Sequence, residues 1–257
     1  MNGEFKGKTA LITGGTKGLG LAFARLLARE GASLLLGYRS DREGAERATK
    51  ELGALTRCRA LECDLSEGEG AAKLWDETGR ALEGAPLHFY VHNAAATAFK
   101  PLLEIQPHHV DKTFALTVKS LVAGMQRALP LMREGGAVVT VSGMDTLKAV
   151  PRHGLLGAAK AALETLTSYY AHELGPRGIR VNGVNPGFLR TDSTRKYLGP
   201  AFDKVSSAFA ASLPLKLQAE LDEVAQAMLF LCSERSRWIV GQTITVDGGQ
   251  DFALPLP

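Results

Sequence analysis

The sequence predicts an α/β domain built on a doubly wound, parallel sheet of about seven strands, with helices on both faces. Two observations carry this prediction: short apolar runs alternate with helix-length amphipathic stretches along the chain, and the short runs are apolar nearly throughout. Such strands are buried on both faces, which is typical of parallel sheets covered by helices. The alternation continues without a linker over 257 residues, so we expect a single domain, residues 1–257.

The elements follow from the length and periodicity of each run. Strands are predicted at residues 8–13, 33–38, 57–63, 88–92, 137–142, 179–184 and 243–246. Helices are predicted at residues 19–30, 41–52, 70–82, 107–133, 156–174, 197–213 and 220–233.

Composition and charge restrict the class of partner. The net charge is only +3, and no basic block points to nucleic acid or a membrane surface. The three cysteines, Cys58, Cys63 and Cys232, form neither a CxxC pair nor a zinc-spaced set with histidine, which favours buried thiols in a reducing compartment. With no apolar leader and no run of about 20 apolar residues, we expect a cytoplasmic protein.

A long connection interrupts the alternation at residues 187–219. It follows the sixth predicted strand, and loops at the carboxyl ends of parallel strands line the ligand crevice. We interpret it as a lid over a substrate, with a plain surface connection as the alternative.

A glycine-rich turn joins the first predicted strand to the first predicted helix. Glycines permit a tight turn and close approach of the backbone to a pyrophosphate, whose charge meets the helix N-terminus. This position is typical of a Rossmann-type dinucleotide site. The predicted cofactor contacts in this turn are Gly14, Thr16, Lys17, Gly18, Leu19 and Gly20.

The end of the second strand indicates which dinucleotide is bound. An acidic residue there would bond the ribose 2′-hydroxyl of NAD, but this chain has Gly-Tyr-Arg-Ser at 37–40. Arg39 and Lys17 are placed to meet a 2′-phosphate, so we expect NADPH as the cofactor. The alternative for Arg39 is a solvated side chain at a helix start.

Six motifs in order resemble those of the short-chain dehydrogenase/reductase superfamily over essentially the whole chain. They are TGGTKGLG at 13–20, CDL at 63–65, HNAAA at 92–96, GAAKAAL at 157–163, GIRVNGVNPG at 178–187 and GQTITVDGG at 241–249. The enoyl-acyl-carrier-protein reductase and 3-oxoacyl reductase branch is the most similar. The resemblance implies an NADPH-dependent oxidoreductase that reduces a small-molecule substrate.

The resemblance also implies further cofactor contacts. Asn93 could instead tie strands together, and Thr191 could instead cap a helix. The implied contacts are Asp64 and Leu65 at the adenine, Asn93 and Ala94 at its ribose, Lys160 at the nicotinamide ribose, and Pro186, Gly187 and Thr191 at the nicotinamide end.

The usual catalytic positions of that superfamily differ here. Leu156 stands where a tyrosine is expected, Gly143 where a serine is expected, and Thr117 where an asparagine is expected; only Lys160 is retained. Leucine has no proton to donate after hydride transfer, and loss of a general acid costs about 10²–10⁴ in rate. An unchanged ketoreductase mechanism is therefore not expected.

His153 is the substitute acid that the sequence suggests. It lies seven residues before Lys160, the spacing at which enoyl-thioester reductases of the superfamily carry their tyrosine. An imidazole with an ordinary pKa of ~6.5 can donate a proton near neutral pH. The alternative is a loop histidine at a strand-to-helix turn.

Two functions remain open from the sequence. The first is an NADPH-dependent reductase of an enoyl or carbonyl compound, with an acyl thioester among the candidate substrates and with Lys160 and His153 as catalytic residues. The second is a catalytically silent NADPH-binding sensor or structural protein. The resemblance implies a homotetramer or dimer, with contacts through the predicted helices 107–133 and 156–174, and the apolar tail at 251–257 could dock on a neighbouring subunit.

Overall fold

The computed structural model describes residues 3–217 and 219–251. Residues 252–257, most of the predicted docking tail, lie outside the described residues, as does Gln218 in the predicted lid. The strands are β1 (Thr9–Thr13), β2 (Ser33–Tyr38), β3 (Cys58–Glu62), β4 (Leu87–His92), β5 (Met132–Val141), β6 (Arg180–Pro186) and β7 (Thr243–Val246). The α-helices are α1 (Gly18–Arg29), α2 (Arg42–Gly53), α3 (Gly68–Leu82), α4 (Pro107–Phe114), α5 (Ser120–Ala128), α6 (Gly154–Leu174), α7 (Asp192–Leu198), α8 (Phe202–Ser212) and α9 (Leu221–Cys232).

The seven strands form one sheet in the order β3-β2-β1-β4-β5-β6-β7, and every adjacent pair is parallel. Parallel neighbours require crossovers, which the intervening helices provide. The order reverses beside β1, between its neighbours β2 and β4, the position at which doubly wound sheets bind ligands at their carboxyl edge. The predicted fold class is confirmed.

Alternate residues of the central strands build two apolar layers. On β1, Ile12 packs with α1 and α9 on one face, whereas Leu11 packs with α3 and α5 on the other. Phe89 and Tyr90 on β4 divide in the same way. This period-two division explains why the strand sequences are apolar throughout.

Two predicted helices differ from the structure. The helix predicted at 107–133 ends at Ala128, and Met132 already begins β5; a π-helical turn, Ala115–Lys119, also interrupts it. The helix predicted at 197–213 is divided into α7 and α8 by the short turn Gly199–Ala201. Pro200 in that turn has no N–H to donate to a continuous helix, and Gly199 adopts a φ of 54°, which explains the break.

A buried chain of hydrogen bonds links β4 to the π-helical turn. His92 Nε2 lies 2.9 Å from the carbonyl oxygen of Thr117, which only accepts, so Nε2 carries the proton. His92 Nδ1 therefore accepts from the Tyr90 hydroxyl at 3.0 Å. Burial lowers the pKa of His92 to about 4, so the imidazole stays neutral and the chain keeps this polarity.

We predict that Tyr90→Phe destabilises the protein by about 1–3 kcal/mol, because it leaves His92 Nδ1 as a buried acceptor without a donor. Urea denaturation measures this loss. Tyr169→Phe is the control, since Tyr169 is 65% exposed, and we expect it to change stability by less than about 0.5 kcal/mol. Equal stabilities for the two variants would contradict the assigned polarity.

Candidate active site

The turn between β1 and α1 forms a cradle at the carboxyl edge of the sheet. Gly14 and Gly18 have φ angles of 64° and 52°, a region that favours glycine. A Cβ at Gly20 would lie 2.2 Å from the carbonyl oxygen of Gly14, so no side chain fits there. Lys17 occupies the N-cap of α1 without a side-chain cap, and the first amides of the helix stay available to an anion. The cradle therefore fits a dinucleotide pyrophosphate.

Neighbouring strands fix this turn from the side. The Asn93 side-chain amide donates to the carbonyl oxygens of Thr13 and Gly14 at 3.0 and 3.2 Å. The Thr13 hydroxyl accepts from the backbone amides of Asn93 and Ala94. Asn93 thus ties β4 to the glycine turn, and Ala94 lies beside that turn.

Lys17 and Arg39 are both exposed, and each follows one of the paired strands β1 and β2. Nearby, Asp64 accepts two hydrogen bonds from Ser66. Burial raises the pKa of the Asp64 carboxyl, but the Ser66 hydrogen bonds and the charges of Arg39 and Lys112 outweigh it and hold the pKa below its ordinary value. Asp64 is therefore an ionised acceptor beside a cationic rim.

The remaining predicted cofactor residues lie around the same edge. Thr16, Leu19 and Leu65 are buried at the glycine turn and after β3, so their side chains support the backbone. Pro186 ends β6, and a Cβ on Gly187 would lie 2.7 Å from Asp247 Cβ. Thr191 caps α7 through Thr194, and its methyl lies 3.9 Å from a Cβ built on Gly18. The structure therefore brings the start of α7 next to the glycine turn.

Lys160 lies buried on α6 and donates from Nζ to the carbonyl oxygen of Val141, the last residue of β5. Burial lowers the pKa of Lys160 to about 8, while the negative charges of Asp145 and Glu164 oppose that effect. The ammonium group is thus held at the carboxyl edge and stays charged near neutral pH.

The three substituted family positions lie on α6, after the end of β5 and in the π-helical turn. Leu156 is half-buried one turn earlier on α6, and Gly143 follows the end of β5 by two residues. Thr117 is buried in the π-helical turn, with its hydroxyl unpartnered among the described residues. The hydroxyl of Ser142, which neighbours Gly143, donates to Glu164, so it is committed to α6 and does not replace the missing serine.

His153 is the residue immediately before α6, and its side chain is largely buried. Its side chain is 15% exposed, and Nδ1 lies 3.4 Å from Asp145 Oδ2. The imidazole stacks on Phe99, with ring centroids 5.0 Å apart, and meets the edge of Tyr197 at 4.4 Å. His153 is two helical turns, roughly 10 Å along the axis, before Lys160 and on the same side of α6.

The first half of the predicted lid contacts this histidine. Tyr197 on α7 donates its hydroxyl to the carbonyl oxygen of Pro151 at 2.9 Å, and Arg152 lies over the Tyr197 ring. Two basic residues of the segment are engaged elsewhere. Arg190 pairs with Asp203, and both Arg190 and Arg195 lie over the Phe202 ring.

Sequence reasoning did not find Asp145, Phe99 or Glu164. Asp145 carried a usable signal, because a carboxylate four residues past the end of β5 stands at the edge where site residues of a parallel sheet lie. Phe99 and Glu164 carried none, since a phenylalanine in a loop and a glutamate on a helix are ordinary residues. In residues 3–217 and 219–251, no group of three metal-ligating side chains and no helix suited to span a membrane is found.

Comparisons with known proteins agree with this geometry. Residues 14–251 match the family model described as Enoyl-(Acyl carrier protein) reductase. The chain is 32% identical to 1-cyclohexenylcarbonyl-CoA reductase of Streptomyces collinus, over 96% of this chain and 88% of that protein. It is also 32% identical to versicolorin reductase 1 of Aspergillus parasiticus, over 96% and 98% of the two chains.

A solved structure agrees as well. A short-chain dehydrogenase from Burkholderia cenocepacia in complex with NADP superposes with a TM-score of 0.87 at 30% identity, covering 96% of this chain and 98% of that one. The nucleotide in that neighbour agrees with the cofactor predicted from Arg39 and Lys17. The chain belongs to the short-chain dehydrogenase/reductase superfamily, within the family described as Enoyl-(Acyl carrier protein) reductase, and is an oxidoreductase.

Proposed function

We propose that this protein is an NADPH-dependent reductase of an enoyl or carbonyl compound that uses the retained Lys160 together with His153 and works without the usual tyrosine and serine. One observation carries the proposal: the glycine cradle, the buried Lys160 ammonium and the paired imidazole of His153 belong to elements that meet at one edge of the sheet. The cradle is an anion site, whereas the lysine and the imidazole are proton-bearing groups.

Each part of the cofactor can be assigned to residues of this chain that would hold it. The amides of the glycine turn would hold the pyrophosphate, and Arg39 and Lys17 would hold the 2′-phosphate. Asp64 would accept from the adenine, and Lys160 would hold the nicotinamide ribose hydroxyls. When bound, NADPH supplies the hydride.

The proton that the substrate takes up with the hydride would come from a side chain of this protein. Charge develops on the substrate oxygen as hydride arrives, and a positioned cation or N–H donor stabilises it. His153 reaches this region from the start of α6 as a proton donor, and Lys160 adds a positive charge. An enolate oxygen needs mainly stabilisation, so an imidazole suits enoyl reduction as well as carbonyl reduction.

The substrate class is supported by the relatives. The family model is described by enoyl reduction, and one relative is named as the reductase of an acyl-CoA. We therefore propose an acyl thioester among the candidates, with residues 187–219 as the lid. The contact of Tyr197 with His153 supports a lid, because the same segment that would cover the substrate already closes over the proposed acid.

A single NADP-binding domain, a cytoplasmic location and a homotetramer or dimer complete the proposal. One sheet includes all seven strands of the described chain, which supports a single domain. Cys58, Cys63 and Cys232 are free, and burial raises the pKa of each thiol, which fits inert structural thiols in a reducing compartment.

We predict that Arg39→Ala weakens NADPH binding about tenfold or more and leaves NADH binding unchanged, because a charge-assisted contact to the 2′-phosphate is lost. Isothermal titration calorimetry measures both affinities. Arg47→Ala is the matched control, since Arg47 is exposed farther along α2 and pairs with Glu43. An equal loss for both nucleotides, or a wild-type preference for NADH, would refute the assignment.

We predict that His153→Phe slows turnover at least tenfold, because a positioned proton donor is removed while the ring contacts with Phe99 and Tyr197 are kept. NADPH oxidation is followed with short enoyl-thioesters, quinones and diketones. His172→Phe, exposed at the far end of α6, is the control. Turnover that survives His153→Phe but not Lys160→Ala would place the proton source elsewhere. No turnover with tight NADPH binding would instead support the silent binding protein.

The charge of Lys160 gives a prediction for stability against pH. Because the folded pKa of about 8 lies below the unfolded value of 10.5, the unfolded chain binds more protons between these values, and stability rises with pH there. Relative to Lys160→Met, the wild type should gain roughly 2 kcal/mol between pH 7.5 and pH 10. Urea unfolding at both pH values measures the difference, and a constant difference would show that Lys160 titrates as in water.

A further inference from the structure

Asp145 places a buried carboxylate beside His153, and its negative charge also acts on Lys160, the other proposed catalytic residue. Its side chain is 6% exposed, its Oδ2 lies 3.4 Å from His153 Nδ1, and its charge acts on Lys160. Among the described residues, no donor forms a hydrogen bond to Asp145 Oδ2. A buried carboxylate is costly unless it is paired, and a proton on the facing His153 Nδ1 would stabilise it.

Two glycines make room for Asp145. A Cβ on Gly143 would lie 2.7 Å from Asp145 Oδ1, and a Cβ on Gly157 would lie 2.5 Å from the Asp145 carbonyl oxygen. The backbone of Gly143 is extended, a conformation that any residue adopts, so the absent side chain and not the φ angle matters there. The carboxylate therefore fills the space that a serine at position 143 would need.

The turn that bears Asp145 is held rigidly from three elements. The Thr146 hydroxyl donates to Glu164 Oε1 at 3.0 Å, and the Asn185 side-chain amide donates to the same oxygen at 2.8 Å. The Ser142 hydroxyl donates to it as well. Glu164 on α6 thus accepts hydrogen bonds from the end of β5, from the turn after β5 and from β6. These bonds fix the position of the turn that bears Asp145.

The other ring nitrogen of His153 is left for a ligand. Nε2 is buried and has no hydrogen-bond partner among the described residues. The ring is held between Phe99 and Tyr197, so it has little freedom to find one. A buried polar atom of this kind needs a partner, which a bound substrate oxygen would provide.

We propose that Asp145 is a positioning residue that keeps a proton on His153 Nδ1 and so presents Nε2 to the substrate. The inference rests on the proposed function. Bound NADPH would supply the hydride to the substrate carbon and be oxidised, and one π bond of the substrate would break. The proton would pass to the substrate from Nε2 of a His153 ring that is protonated on both nitrogens. His153 is then neutral with its remaining proton on Nδ1 facing Asp145, and water restores the second proton.

The tautomer is tested by nuclear magnetic resonance on protein with ¹⁵N-labelled histidine and no cofactor. The chain has six histidines, and His153→Phe identifies the signals of His153. We expect the neutral ring to carry its proton on Nδ1 in the wild type and on Nε2 in Asp145→Ala. Asp111→Ala, which removes an exposed carboxylate on α4, should leave the wild-type pattern. A wild-type ring protonated on Nε2 would overturn the proposal, whether or not any substrate turns over.

A kinetic cycle tests the same pair through turnover. Asp145→Ala should lower kcat about tenfold to 100-fold with little change in NADPH affinity, and it should add little in the His153→Phe background. An equal loss in both backgrounds would show that Asp145 does not act through His153. If His153→Phe itself retains full turnover, the proposed function fails while the tautomer experiment still decides the pairing.

Gly143→Ala is a second probe that leaves both charged residues in place. The added methyl displaces the Asp145 carboxylate, so we expect a loss of kcat comparable to that of Asp145→Ala and the same change of tautomer. Unchanged kcat and an unchanged tautomer in a folded Gly143→Ala protein would contradict the role given to the close approach of Asp145.

Discussion

The parallel pairing of β1, β4, β5 and β6 is the constraint on which the site depends. Parallel neighbours place all their carboxyl ends at one edge, so the turns after these strands converge although they are far apart in sequence. The glycine turn follows β1, Asn93 follows β4, the Asp145 turn follows β5, and Gly187 follows β6. Lys160 reaches the same edge from α6 by bonding the last carbonyl of β5.

The catalytic half of the site differs from the superfamily pattern as a connected set. A glycine at position 143 removes the serine and opens the space that Asp145 occupies. Leu156 stands where the tyrosine is expected. His153 lies about one helical turn before Leu156, and its Nδ1 lies 3.4 Å from Asp145 Oδ2. In the proposed mechanism, these substitutions together exchange a hydroxyl pair for a carboxylate and an imidazole.

Burial determines the charge states around this pair. Lys160 is held charged near neutral pH by opposing effects, since desolvation lowers its pKa and Asp145 and Glu164 counter that lowering. His92, which is also buried, lacks a carboxylate partner and stays neutral as a hydrogen-bond donor to the π-helical turn. Burial lowers the pKa of both groups, but Lys160 starts from 10.5 and stays charged near neutral pH with a pKa of about 8, whereas His92 starts from 6.5 and is neutral with a pKa of about 4.

The sequence by itself determined the sheet, its parallel sense and the cofactor cradle, because these follow from local periodicity, glycine spacing and motif order. It also predicted catalytic roles for Lys160 and, from its spacing of seven residues before Lys160, for His153, and both roles stay predictions. Two predicted helices were wrong in extent. One is divided by the short turn Gly199–Ala201, and the other was continued past the point where β5 begins. Only the tertiary structure placed Asp145, Phe99 and Tyr197 around His153, and Glu164 against the turn that bears Asp145, because these distances are set by the packing of the β5 turn, α6 and α7 and not by any pattern within one segment.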